Sequence, residues 1–218
     1  GAGGGGGGRV FQGVPTARGW GVGRTPATDP GGVGEGRRKC ARSLSVRPET
    51  RTGVGAVHGS EIARVDRAVP LVKEVDGLVT DRPGVALFAT FADCYPLIAY
   101  DPHNRALGLA HAGWRGTEDG IAKKLVAMLK SEYGSVASEL RVGIGPGICG
   151  DCYEAGPEFA ERFPPGSLKP RAGARLLLAP VAANRAHSLD AAARPRRAPG
   201  PQVRARSARP PHSPAPRP

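Results

Sequence analysis

Apolar positions are spread unevenly along this 218-residue chain, and their spacing changes character twice. From about residue 54 they fall into short runs of strand type. GAVHGSEIARVD, residues 55–66, alternates in places and predicts a strand running into Val65. DGLVT, residues 76–80, predicts a short element, and GVALFATFA, residues 84–92, a buried strand entered through the turn DRPG. YPLIAYD and ALGLAHAG are two further apolar runs, joined by Asp101, Pro102, His103 and Asn104, a hairpin-type turn. The period then lengthens. In TEDGIAKKLVAMLKSEYG, residues 117–134, Ile121, Leu125, Met128 and Leu129 recur at helical spacing. Thr117 suits the cap, Glu118 and Asp119 the positive end of the dipole, and Gly134 the stop. LRVGIGPG, residues 140–147, predicts another buried strand, YEAGPEFAERF, residues 153–163, a second helix, and the stretch around 181–193 a third.

Outside this stretch the periodicity fades. Residues 1–32 are glycine-rich and turn-rich and predict a flexible segment; a weak helix is expected from Val33 to Leu44. The chain holds 33 glycines and 22 prolines, about a quarter of its residues, and 12 of the prolines lie in residues 164–218. Folded structure is therefore expected over residues 33–193, with a disordered Pro/Arg-rich tail over 194–218.

Charge follows the same division. Residues 1–53 carry nine Lys and Arg against three Asp and Glu, residues 54–163 carry 11 against 15, and residues 164–218 carry 11 against one. The net +12 thus belongs to the ends and the middle is mildly acidic. Nucleic acid is expected as a partner only non-specifically, through the basic tail. No apolar run reaches membrane-spanning length, the N-terminal GAGGGGGGRV lacks the apolar core of a signal peptide, and four cysteines are too few for a disulfide framework. The expectation is a cytoplasmic protein in a reducing compartment, where cysteines bind metal or react.

Cys94 and His111 are the residues to explain. They stand 17 positions apart on the two runs of the expected hairpin, so adjacent antiparallel strands can bring them together. Core packing, a nucleophile with its base, and two ligands of one metal all remain open on that spacing. His58, followed by Gly59, adds a third candidate; two histidines and a cysteinate can hold zinc with a fourth position open, an arrangement suited to hydrolytic or phosphorolytic chemistry. Asp93 can orient a ligand, accept a proton or cap a turn. Arg115, in the turn before the expected helix, suits an anion such as phosphate or stacks on Trp114 at the surface. Cys149 and Cys152 form a CxxC, a spacing found in redox pairs and in half of a structural zinc site, without a second CxxC to complete the latter.

VHGSEIARVD, DGLVT, FADCYPLIAYDP, HAGWRGT and IGPGICGDCYEAGPEF, in that order over residues 57–163, resemble the polyphenol oxidase or laccase-domain family, also known as multifunctional purine nucleoside phosphorylases. The resemblance implies a single α/β (α+β) domain, a mixed sheet flanked by helices. It also implies a metal, usually zinc, held by His58, Cys94 and His111. The implied activity is phosphorolysis of adenosine, inosine, guanosine and S-methyl-5′-thioadenosine, with deamination of adenosine. Phosphate would then lie near Arg115, and Cys94, His111 and Asp93 would stand at the reacting centre. The older family name keeps a copper-dependent polyphenol oxidase as an alternative, and a Cys–His hydrolase shares the same residues. Two departures stand out: Ala56 occupies a position where the family usually has glutamine, and Gly36-Arg37 replaces an Asn-Arg pair. AANR, residues 182–185, matches the family's late helix, whereas the closing strands expected after it are replaced by the Pro/Arg-rich tail, leaving a sheet edge exposed.

Overall fold

A computed structural model describes residues 38–39, 41–173, 175–191 and 194–197. It is a mixed α/β structure, as expected, and its centre is a six-stranded sheet of order β12-β8-β6-β7-β4-β2. These strands are β2 (Ile62–Arg64), β4 (Gly77–Thr80), β6 (Tyr95–Tyr100), β7 (Leu107–Ala112), β8 (Arg141–Ile144) and β12 (Arg194–Arg197). β6 and β7 form the predicted antiparallel hairpin, with Tyr95 opposite Ala112 and Pro96 opposite His111. Its turn is built by Asp101. The carboxylate accepts the His103 and Asn104 N–H groups at 2.8 and 3.1 Å and the Asn104 side-chain amide at 2.8 Å. β4 runs antiparallel to β7 on the hairpin's other side, with Gly77 opposite Ala110.

The helix expected over residues 117–134 is two helices. α1 (Trp114–Glu118) ends at Asp119, and α2 (Ile121–Tyr133) begins after Gly120, whose φ of 73° no right-handed helix can accommodate. Thr117 therefore lies inside α1, fully buried, instead of capping a helix. Gly134, in the left-handed region, stops α2 as expected. Ile121, Leu125 and Leu129 are buried against the sheet and Met128 is half-buried beside them, which is the face the spacing predicts. α2 approaches closely because β7 has no side chain at Gly108, where a Cβ would stand 2.7 Å from Leu125 Cδ1. Burying a leucine such as Leu125 stabilises the fold by roughly 1.5–3 kcal/mol.

Other expectations are corrected. The strand predicted over residues 55–66 is split into the end of β1 (Arg51–Gly55) and β2, because His58 takes a φ of 62°, incompatible with extended backbone. The strand in residues 84–92 shrinks to β5 (Ala86–Phe88), half-buried, in a small parallel sheet with β1 and β3 (Leu71–Lys73). No helix forms over residues 153–163 beyond a single 3-10 turn at Pro157–Phe159. Pro157 breaks the pattern, and Glu154–Ala155 instead forms β9, antiparallel to β11 (Arg175–Leu178), which also pairs with β10 (Leu168–Arg171). α3 (Pro180–Asp190) matches the predicted third helix. The first residues of the expected disordered tail form β12, parallel to β8, so the edge of β8 is covered. The remainder of the tail, residues 198–218, and the glycine-rich residues 1–32 lie outside the described residues. Of the weak helix expected over 33–44, residues 38–39 and 41–43 are helical, and residues 33–37 and 40 lie outside the described residues. Among the described residues no helix is long and apolar enough to cross a membrane.

Candidate metal centre

The hairpin register places one end of β6, β7 and β4 side by side. Cys94 immediately precedes β6, His111 is the penultimate residue of β7, and Asp76 immediately precedes β4. Sheet pairing thus gathers three chemistry-bearing residues from separate parts of the sequence. The His111 N–H donates to the Asp76 backbone carbonyl at 2.6 Å, extending the β4–β7 ladder by one step. His58 comes in from the loop between β1 and β2. Its ring meets that of His111 edge-on, with centroids 4.9 Å apart.

One nitrogen of His58, the Cys94 Sγ and one nitrogen of His111 all lie within 4.8 Å of one another. His111 is 4% exposed, Cys94 is half-buried and His58 is open to solvent, so the cluster has a protein side and a solvent side. Gly113 sits against all three. A Cβ there would stand 3.1 Å from His58 Cδ2, 3.4 Å from Cys94 Sγ and 3.9 Å from His111 Cε1, so the absence of a side chain gives these three side chains their room.

The electrostatics suit a cation. Burial holds the His111 imidazole below its ordinary value, against the opposing pull of the Asp76 carboxylate, and keeps the ring neutral near pH 7. His111 Nδ1 lies 3.1 Å from Asp76 Oδ1. With the proton on Nδ1, the ring donates to Asp76 and presents the Nε2 lone pair to a metal. Burial, reinforced by the Asp93 and Asp76 carboxylates, pushes the Cys94 thiol up to about 11. A thiol so shifted is a poor nucleophile by itself; a bound cation is the usual means of drawing off its proton. Two imidazoles and a thiolate fit a borderline-soft ion of the zinc type.

The sequence-derived residues divide in two. His58, Cys94 and His111 come together. Asp93 is exposed beside them in a left-handed turn with φ of 71°; its backbone carbonyl accepts the Ile148 N–H at 2.9 Å, and its carboxylate has no hydrogen-bond partner among the described residues. Arg115 lies with its guanidinium 4.5 Å from the Trp114 ring centroid, with no carboxylate paired to it among the described residues. Arg162 covers the same indole at 5.1 Å while pairing with Glu118. Cys149 and Cys152 are joined in a disulfide.

Asp76 is the residue that sequence reasoning missed. It is 0% exposed, and its carboxylate accepts the N–H groups of Val57, His58 and Gly59 at 3.3, 3.0 and 2.7 Å as well as facing His111. In the sequence it reads as an ordinary turn acid before Gly77; only its pairing opposite His111 reveals it. Tyr153 also borders the centre, its hydroxyl pushed up to about 12 by burial and by the neighbouring Cys94, against the pull of Arg115.

Residues 15–194 match the family model described as multi-copper polyphenol oxidoreductase laccase. Among similar proteins, the purine nucleoside phosphorylase of Deinococcus radiodurans is 38% identical over 135 residues, 62% of this chain and 52% of that one. The human purine nucleoside phosphorylase LACC1 is 34% identical over 131 residues, 60% of this chain and 30% of that one. The crystal structure of YlmD from Geobacillus stearothermophilus superposes with a TM-score of 0.74 at 33% identity, covering 79% of this chain and 70% of the other. The chain spans about half the length of the bacterial curated relatives it matches.

Proposed function

The chain belongs to the multi-copper polyphenol oxidoreductase laccase family, and from that membership we infer that it acts as a zinc-dependent purine nucleoside phosphorylase. The observation that carries this reading is the convergence of His58, Cys94 and His111 within 4.8 Å at one sheet end, open to solvent on one side. Zinc at these three side chains would supply Lewis-acid activation at an open fourth position. The remaining tasks fall to the chain's own residues. Arg115, its guanidinium poised over Trp114 without a competing carboxylate among the described residues, holds phosphate. A phosphate oxygen attacks ribose C1′, the bond from C1′ to the purine nitrogen breaks, and the purine leaves with a proton as ribose 1-phosphate forms. Asp93, an exposed carboxylate beside Cys94, is placed to accept or return protons at the solvent side. The substrates proposed are adenosine, inosine, guanosine and S-methyl-5′-thioadenosine, with adenosine deamination at the same centre.

The competing readings have less support. A multi-copper oxidase needs several histidine-rich sites, and among the described residues there is one such group. His103 is at the far end of the hairpin, 3.4 Å from Glu139, and His187 is on α3. A Cys–His hydrolase would use a thiol that its surroundings hold protonated. The deciding experiment incubates zinc-loaded protein with adenosine and phosphate and separates the products. Adenine with ribose 1-phosphate supports phosphorolysis and inosine supports deamination; soluble, metal-loaded protein that yields neither overturns the proposal.

A further inference from the structure

Three consecutive backbone N–H groups, from Val57, His58 and Gly59, point at one buried carboxylate, that of Asp76. Such a concave run of amides around an anion is a nest, and a left-handed residue within it is what bends the chain to form one. Here that residue is His58 itself, at φ of 62°. A non-glycine residue keeps this conformation only when its surroundings hold it there. The side chain of His58 is exposed, so burial does not hold it; the amides clamped to Asp76 do. The same carboxylate takes the Nδ1 side of His111, on a different strand.

We propose that Asp76 is the positioning residue of the metal centre. Through one carboxylate it sets the backbone of the His58 loop and the ring of His111, so that two of the three ligands are placed before any ion arrives. The inference rests on the metal reading of this site given above. It assigns to Asp76 the orienting role that sequence reasoning offered to Asp93. Metal affinity and the order of residues 57–59 then depend on the same group. Asparagine in its place keeps the shape but offers a single acceptor oxygen, and turns an NH2 group toward donors that it cannot satisfy.

Zinc affinity of the full chain is measured by competition with a chromophoric chelator, for the unaltered protein, D76N and D93N, with the visible spectrum of each Co2+-loaded sample as a readout of ligand geometry. D76N is expected to bind zinc about 10- to 100-fold more weakly, with weakened or shifted cobalt bands. D93N, which removes a nearby charge but no hydrogen bond to His58 or His111, is expected to lose less affinity and to keep the cobalt bands. Because D76N can fail to fold, amide exchange of the unaltered protein is followed with and without zinc. The amides of residues 57–59 are expected to be protected already in the metal-free state. D76N with unaltered affinity and cobalt spectrum overturns the proposal alone, as do amides at 57–59 that become protected only when zinc is added. Unaltered protein that binds neither ion overturns the metal reading and this proposal with it.

Discussion

His111 and His58 reach the same point from two kinds of structure. His111 is on a central strand, paired on both sides and 4% exposed; its position follows from the register of β6, β7 and β4. His58 is on a loop, exposed and in a left-handed conformation, and nothing in its own segment's periodicity requires that shape. One histidine is fixed by the same hydrogen bonds that build the sheet. The other is fixed by a carboxylate borrowed from the start of β4. A site assembled in this way is rigid on its buried side and depends on one group for its solvent side.

The largest expected effects test that asymmetry directly. His111→Ala and His58→Gly should each lower metal affinity by more than the about 100-fold that outer-shell changes reach. They should differ in the metal-free protein. His111→Ala removes a partner from a fully buried carboxylate and should destabilise it by about 1–3 kcal/mol. His58→Gly relieves a left-handed residue and should leave stability within about 1 kcal/mol, shifted upward. Chelator-treated samples in urea titrations measure both, and equal losses would break the comparison.

A smaller effect is expected from Gly113→Ala. Its backbone φ of −74° accepts any residue, so the only consequence is steric, with the new methyl against His58 and Cys94. Zinc affinity should fall by about 10-fold with the thermal midpoint of the metal-free protein little changed. An unchanged affinity would show that the loop side yields freely to accommodate the methyl.

The smallest concerns acid. Burial holds both His111 and His187 below the ordinary imidazole value of 6.5, and Lys123 adds to the effect at His187. Below that value the unfolded chain binds more protons than the folded one, so stability rises with pH through the window. The contribution is fully present above pH 6.5 and is lost as pH falls through the folded-state values. His187→Leu should flatten this acid slope in metal-free protein without altering zinc affinity at neutral pH, as read by denaturation across pH 5 to 7.5.

Much of the site was legible in the sequence because sheet register is. Apolar runs on either side of a short turn pair in one way, and that pairing brings Cys94 and His111 together. His58 was legible as a candidate from its residue type and the glycine after it, but its place beside Cys94 was not, since a left-handed loop residue carries no periodic mark. Asp76 was illegible for the converse reason: an acid before glycine looks like any turn, and its meaning arises from a neighbour 35 positions away. In the fold, the helix break at Gly120 and the loss of helix after Gly156 both turn on single residues that override the surrounding pattern. β12 was missed because its proline and arginines give no strand alternation; its position comes from the open edge of β8.

Trp114 has guanidinium groups over it from both Arg115 and Arg162. The indole is thus a built-in optical gauge beside the centre. Its emission senses the charge stacked on it, and Arg115 is the one of the two cations without a carboxylate tether among the described residues. An anion that draws Arg115 away from the ring changes that emission whether or not chemistry follows. The protein therefore carries a way to test the proposed anion binding at Arg115 separately from turnover, with Trp20, the other of its two tryptophans, replaced by phenylalanine to leave a single emitter.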